Sequence, residues 1–512
     1  MERYGKKDSF SPFVQLPVCD RSVVSEISGD FTLPDYQPEI KKLLRVTASV
    51  LPASRYIGDR SAEFSGNIDY YVIYAGADNQ IYCAPVTTEY KVDIPLESAE
   101  AAELVNTTGY AVITPDNVSG RVTSPRKLSI KCRLRTRARI FGDSSLEDNF
   151  GQGDGSLEVL YGVDSSARSL VSMGEMLRIS DEIVSSGDDI RVIFADGKAL
   201  VDEVVCGENK VNCRGNLYLK LLMSREDGSL PYTLMRKIPF SQSVATEGVS
   251  HGDVASVRAS VCEMGVTVDE GRIGLDLGML IECHAATLDA VKYVKDVYST
   301  THRVDGEYKI LDFPRREITD NRNFTLSDSM SLEEAGIASS ANIIDITGSV
   351  YPESYSFEGD RCIVSGRVRY DLLLENDGEY SSAVIELPFR YETKAPDSFA
   401  GVSADALFSG EVVSARARVD GERIGIDSEI SMSGCSFEMA QTKILDRVSF
   451  GEEIGRSVGE YTVCYPEKSE SLWSVAKRYG VPIDALISGN KLPSDVELDG
   501  DSSLAGVKYL MI

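Results

Sequence analysis

Alternating apolar and polar residues fill the first nine-tenths of the chain. Across 364–370, Val364, Gly366, Val368 and Tyr370 fall on one side, and Ser365, Arg367 and Arg369 on the other. That is the period-two pattern of a half-buried strand with one wet face. The same order of blocks occurs three times, a sign of internal repetition. The first copy has Leu44-Arg45-Val46-Thr47-Ala48-Ser49-Val50, then Phe64-Ser65-Gly66-Asn67-Ile68-Asp69-Tyr70, then Asp93-Ile94-Pro95-Leu96. The second has Asn212-Cys213-Arg214-Gly215-Asn216-Leu217-Tyr218-Leu219 and Lys237-Ile238-Pro239-Phe240. The third has Ile343-Ile344-Asp345-Ile346-Thr347-Gly348-Ser349-Val350, Val364-Ser365-Gly366-Arg367-Val368-Arg369-Tyr370 and Glu386-Leu387-Pro388-Phe389. From the glycine to the proline the copies span 29, 24 and 22 residues, so length varies in the hairpin between. A further block closes each copy: Arg126-Lys127-Leu128-Ser129-Ile130, Gly271-Arg272-Ile273-Gly274-Leu275-Asp276, and Glu422-Arg423-Ile424-Gly425-Ile426-Asp427.

Each copy therefore reads as an antiparallel β domain. Asp227-Gly228, Asp377-Gly378 and Asp420-Gly421 supply hairpin turns. Pro95, Pro239 and Pro388 cannot donate to a ladder, which places their blocks at sheet edges or strand starts. Only 38–44 and 332–337 suggest helix. Polar or glycine-rich stretches at 141–155, 288–305 and 451–459 read as joints. The predicted domains are 1–150, 151–290, 291–455 and 456–512, within the three or four that 512 residues suggest.

The last fifty residues change period. Tyr461, Thr462 and Val463 start as a strand, and Ser471 can cap a helix by accepting a first-turn N–H. Leu472, Val475, Ala476 and Tyr479 share one apolar face at i, i+3, i+4 and i+7. Gly480 suits the left-handed helix end. Pro482 opens a second helix with Ile483, Leu486 and Ile487 inward, and Val507, Tyr509 and Met511 alternate as a closing strand. Together with Leu472-Trp473-Ser474-Val475-Ala476-Lys477-Arg478-Tyr479-Gly480-Val481 and Asn490, this βααβ segment resembles a LysM domain.

The stretch Gly29-Asp30-Phe31-Thr32-Leu33-Pro34-Asp35-Tyr36-Gln37-Pro38-Glu39-Ile40, followed by Leu43-Leu44-Arg45-Val46, resembles the start of a SPOCS domain. Phe324-Thr325-Leu326-Ser327-Asp328 repeats its first positions in the third copy. The expected fold class is mainly β, with tandem antiparallel SPOCS-like domains followed by a small α+β LysM domain. Repeated SPOCS-like units ending in one LysM domain are similar to spore-coat morphogenetic proteins of endospore-forming Clostridia. The resemblance implies a mother-cell scaffold at the forespore surface. Its implied partners are the spore-coat morphogenetic ATPase and other coat proteins, or alternatively peptidoglycan glycan.

A net charge of −27 and a pI near 4.6 disfavour nucleic acid, which demands clustered cations, and anionic membrane surfaces. The charge serves solubility or draws a basic partner. The N-terminus lacks an apolar signal region and no apolar run is long enough to span a bilayer, so the expectation is a cytoplasmic protein without membrane insertion. Ten scattered cysteines without a C-x-x-C pair suit reduced core thiols, with Cys206 and Cys213 on neighbouring strands.

No nucleophile elbow, zinc-protease helix or phosphate loop occurs, so no catalytic, metal or cofactor residue is assigned. Gly151, Gly153 and Gly155 lack the strand and capped helix that a phosphate loop needs. Cys283 and His284 are adjacent on a strand and point to opposite faces, so they cannot form a dyad. What remains is the tail. In LysM domains a groove between the first loop and the loop after the second helix holds N-acetylglucosamine polymers. The first loop there is usually Gly-Asp-Thr or Gly-Asp-Ser; here it is Ser469-Glu470-Ser471, lacking the glycine that eases close approach. Glu467 and Glu470 add charge that a neutral sugar does not need, which favours a protein ligand. The candidate partner or glycan residues are Trp473, Ser469, Glu470, Ser471 and Asn490. Trp473 sits at the edge of the apolar stripe, as a lid over the small core or as an exposed anchor.

Overall fold

The computed structural model describes residues 10–96, 104–146, 156–184, 189–225, 227, 229–395, 404–455, 462–467, 470–492, 504 and 507–512. Strand pairing divides the chain into three β units and a tail. In the first unit, β1 (Phe13–Thr32), β2 (Ile40–Val50), β3 (Ser54–Ile57), β4 (Ser61–Gly76), β5 (Ile81–Pro95), β6 (Val105–Ser124) and β7 (Lys127–Ser145) form two antiparallel sheets. One is built on β4, flanked by β2, β3 and β5; the other runs β1-β7-β6. The second unit comprises β8 (Leu157–Met173), β9 (Leu177–Val184), β10 (Ile190–Gly207), β11 (Lys210–Arg225), β12 (Tyr232–Ala245), β13 (Val254–Asp269) and β14 (Arg272–Ser299). Its sheets are β10-β11-β12 and β13-β14 with β8 and β9 end to end on β14. The third unit has β15 (His302–Ser331), a short helix α1 (Leu332–Ala335), β16 (Asn342–Glu358), β17 (Arg361–Asn376), β18 (Glu379–Lys394), β19 (Ala404–Asp420) and β20 (Arg423–Glu453). Its sheets are β16-β17-β18 and β15-β20-β19.

Each unit is a sandwich cored by every second residue of two central strands. In the third, Cys362, Val364, Val368, Tyr370, Leu372 and Leu374 of β17 face Ile424, Ile426, Ile430 and Met432 of β20. The expected wet residues lie on the other side of β17. Gly366 is required where it stands: a Cβ would lie 2.1 Å from the carbonyl oxygen of Tyr351, and at Gly215 2.1 Å from that of Leu200. Pro95, Pro239 and Pro388 lie on β5, β12 and β18, each paired on one side only. Asp377 and Gly378 both take positive φ in the β17–β18 turn, the requirement of a type I′ hairpin. Gly421 does likewise between β19 and β20, whereas Gly228 lies outside the described residues. Cys206 and Cys213 sit on the neighbouring strands β10 and β11.

Four expectations need correction, and bulges explain two. The segment 38–44 is not a helix; Ile40 begins β2. Bulges between Ile40 and Lys42 and between Leu43 and Arg45 each insert a residue, so Ile40, Leu43 and Leu44 acquire helix-like spacing inside a strand. The joint at 288–305 shrinks to Thr300 and Thr301, because β14 runs on to Ser299 and a bulge between Val294 and Asp296 hides its alternation. Residues 141–145 are not linker but the end of β7, paired with 13–17 of β1. Their polarity is balanced in place, since buried Asp143 receives Arg168 and Asn106. The rest of that stretch, 147–155, lies outside the described residues. Likewise 451–453 belongs to β20, and 456–459 lies outside. The helix expected at 332–337 is α1, closed by a Ser331–Glu334 capping box and left-handed Gly336.

The three units meet around a common apolar cluster of Leu44, Ile73, Ala75, Ile81, Phe194, Leu222, Ile344 and Leu373. Matching bulges bring Arg45, Phe194 and Asp345 to equivalent positions, opposite Ile73, Leu222 and Leu373 on the central strands. Two residues before those stand Tyr71, Lys220 and Asp371. Each pairs forward to the next unit. Tyr71 packs edge-on against Phe194 with ring centroids 5.0 Å apart. Lys220 Nζ lies 2.9 Å from Asp345 Oδ1, and the Asp371 carbonyl accepts from Arg45 Nη1 at 3.3 Å. Arg45 Nη2 also reaches Asp345 Oδ2 at 2.6 Å, with both side chains 2% exposed or less. One contact, repeated three times with three chemistries, closes the ring.

Candidate functional site

The tail begins at β21 (Val463–Cys464), continues through α2 (Leu472–Tyr479) and α3 (Ile483–Gly489) and closes with β22 (Leu510–Met511). Ser471 caps α2: its Oγ accepts from the Ser474 N–H at 3.2 Å, and Ser474 Oγ accepts from the Ser471 N–H at 3.0 Å. Gly480 ends the helix at φ 62°, its N–H directed at Ala476 and Lys477 carbonyls. Leu472, Val475, Ala476, Ile483, Leu486, Leu504, Leu510 and Cys464 make the core. Tyr479, expected on that face, is exposed instead. The closing strand is confined to Leu510 and Met511, with Leu510 buried while Tyr509 and Met511 face out. Cys464 and Leu510 pair inward, so Val463 and Met511, opposite one another, share the outer face.

The tail rests on the second β unit. Leu160 of β8 and Tyr298 of β14 belong to the tail's own hydrophobic cluster. Trp473, 7% exposed, meets Tyr298 edge-on with centroids 4.9 Å apart. The Trp473 indole N–H donates to Asp296 Oδ2 at 2.9 Å, Lys477 Nζ reaches the same carboxylate at 2.6 Å, and the Tyr308 hydroxyl donates to it at 2.8 Å. The Tyr298 hydroxyl donates to the Val481 carbonyl at 2.8 Å. Burial alone would raise the pKa of Asp296, but hydrogen bonds from Lys477, Trp473 and Tyr308 and the Lys477 charge outweigh it and hold the pKa below 3.8.

A depressed folded pKa means that Asp296 contributes its full share above the ordinary carboxylate range and loses it as pH falls through the folded value. Trp473, the single tryptophan, reports on this contact. Its emission is expected to stay constant from neutral pH to about pH 4 and to shift red only below that, when the carboxylate protonates. Asp296→Asn should give a red-shifted, pH-insensitive emission at neutral pH. An emission maximum unaltered by Asp296→Asn would contradict the docking contact.

The other candidate residues use their polar groups inside the tail. Glu470 pairs with Arg478, accepts from the Glu467 N–H at 3.1 Å, and lends its carbonyl to the Leu504 N–H at 3.1 Å. Asn490 donates to the Leu486 and Met511 carbonyls at 2.9 Å and accepts from the Met511 N–H at 2.6 Å, tying α3 to β22. Ser471 is the cap. Ser469 lies outside the described residues. Sequence reasoning missed Asp296, Tyr298 and Leu160, which lie at least 175 residues from Trp473 and carry no local signal. Cys283 and His284 do face opposite ways: Cys283 joins the core of the second unit, while His284 approaches Cys435 of the third, Nδ1 to Sγ 3.7 Å.

Two family models match the chain: SipL, SPOCS domain, over residues 188–269, and LysM domain over residues 467–499. No curated protein and no solved structure matches it significantly. The chain is thus a SipL-like SPOCS/LysM protein, mainly β with a LysM tail. Both are non-catalytic domain families, and together they mark a sporulation-associated protein with a module of glycan-binding type. Among the described residues no helix is long and apolar enough to cross a membrane.

Proposed function

We propose that this SPOCS/LysM chain is a non-enzymatic scaffold of spore coat assembly. In this reading its tail links coat layers to the morphogenetic ATPase around the forespore. One observation carries the choice of a protein ligand: the outer face of the tail's strand ribbon is apolar, aromatic and uncovered. Tyr465 is 75% exposed, Tyr509 56%, Val463 48% and Met511 45%. Exposed aromatics grouped on a short ribbon are the anchors of protein interfaces, where rigid rings bury large areas. A neutral glycan draws its specificity from free polar groups, and Glu470, Ser471 and Asn490 are spent on internal bonds. Three like β units joined in one body suit packing between layers.

A fluorescently tagged copy in sporulating cells tests the assignment. The expected signal surrounds the forespore in the mother cell. A diffuse signal throughout sporulation would remove the scaffold reading.

A further inference from the structure

We infer that His284, Glu317 and Cys435 form a zinc-class metal site that fastens the second β unit to the third. Their ligand atoms lie within 4.8 Å of one another and all three residues are buried. Glu317 lies opposite Phe437 and Cys435 opposite Thr319 in the β15–β20 pairing, so the two are diagonal neighbours on one sheet face. His284 arrives from β14 of the other unit. One thiolate, one imidazole and one carboxylate match the donor preferences of Zn²⁺ and leave a fourth position open.

Two features point to a ligand. The first is unmet polarity. His284 Nε2 and Glu317 Oε1 are buried without a hydrogen-bond partner, although they lie 3.3 Å apart. Burial disfavours the imidazolium, so this contact gains little from charge. A buried polar atom without a partner is costly, and a cation satisfies both at once. The second is geometry. The 3.3 Å separation of His284 Nε2 and Glu317 Oε1 is close to the roughly 3.3 Å that tetrahedral zinc imposes, given two bonds of about 2.0 Å.

The surroundings also suit a metal. The Ser169 hydroxyl donates to Glu317 Oε2 at 3.0 Å, which orients the carboxylate and leaves Oε1 free. Tyr110 of the first unit packs at a tilt against the imidazole with centroids 4.2 Å apart and brings its hydroxyl within 3.3 Å of Cys435 Sγ. A cavity of about 70 Å³ lined by Tyr110, His284, Cys435, Arg258 and Glu282 adjoins the cluster, room for a water ligand. Arg139 lies near, but it stacks on Phe437 and pairs with Asp20. A dication held by one thiolate, one carboxylate and a neutral imidazole carries no net charge for Arg139 to repel. Binding releases the Cys435 proton, so affinity rises with pH.

Full-length protein, reduced and stripped by chelator, should be titrated with Co²⁺. The expected result is one equivalent bound with the d–d absorption of a tetrahedral site and a thiolate-to-cobalt charge-transfer band. Zn²⁺ should bleach both and raise the melting temperature. Cys435→Ser should lose the charge-transfer band, and Glu317→Gln should weaken cobalt binding at least tenfold. A wild-type chain without the band would overturn the site, whatever the variants do. So would a band that persists in Cys435→Ser, which would place the thiolate elsewhere.

Discussion

Replacing Asp345 by alanine is expected to destabilise the β body by about 3–5 kcal/mol, because Arg45 and Lys220 would remain buried without a counter-charge. The carboxylate serves both cations, one from each of the other units, at 2.6 and 2.9 Å. Burial by itself would favour its protonated form, but Lys220 and Arg45 overcome that and depress the pKa well below 3.8. The contribution is therefore complete at neutral pH and fades only in strong acid. Thermal or urea unfolding of Asp345→Ala should show the loss. Replacing Arg45, Lys220 and Asp345 together by apolar residues of similar volume should recover most of it, since the cost lies in orphaned charge rather than in the lost attraction. A loss below about 1 kcal/mol in the single variant would mean that solvent reaches the junction.

Trp473→Ala should open the tail. The ring joins Tyr298 and the small core at once, and truncating a buried tryptophan costs about 3–5 kcal/mol. Hydrogen exchange of amides in 472–487 should accelerate by the corresponding factor while the β units keep their protection. Trp473→Phe keeps a ring against Tyr298 but loses the N–H to Asp296, so its cost should be smaller, about 1.5–3 kcal/mol for a bond to a charged group. Unchanged exchange in Trp473→Ala would show that neither the tail core nor its seat depends on the ring. The two expected roles of this residue, lid or outward anchor, leave out what the structure places beside it: the body of its own chain.

Local order was legible wherever the residues themselves impose it. The repeated period-two blocks, the edge prolines, the Asp377-Gly378 turn and the Ser471 cap each follow from backbone chemistry within a few residues. Bulges were not legible, because a single inserted residue disguises a strand as a helix at Ile40 or as a joint beyond Val294. The ring of unit contacts was hidden for a different reason. Equivalent positions hold Arg45, Phe194 and Asp345, so a comparison that seeks likeness passes over the residues that join the units. Those differences also penalise wrong pairings, since only Asp345 answers both Arg45 and Lys220. The tail's seat joins Asp296 to Trp473 and the cluster joins His284 to Cys435, pairs 150 or more positions apart with no pattern to mark them.

The most direct test of the tail's role is calorimetric titration of the purified morphogenetic ATPase into the full-length chain, alongside Tyr465→Ser/Tyr509→Ser and a parallel titration with chitin oligomers. The account predicts saturable binding to the ATPase, weakened roughly thirtyfold or more by the double substitution, as loss of anchors worth about 2 kcal/mol requires. It predicts no heat of binding from the oligomers. Binding of chitin oligomers by a chain that ignores the ATPase would contradict it.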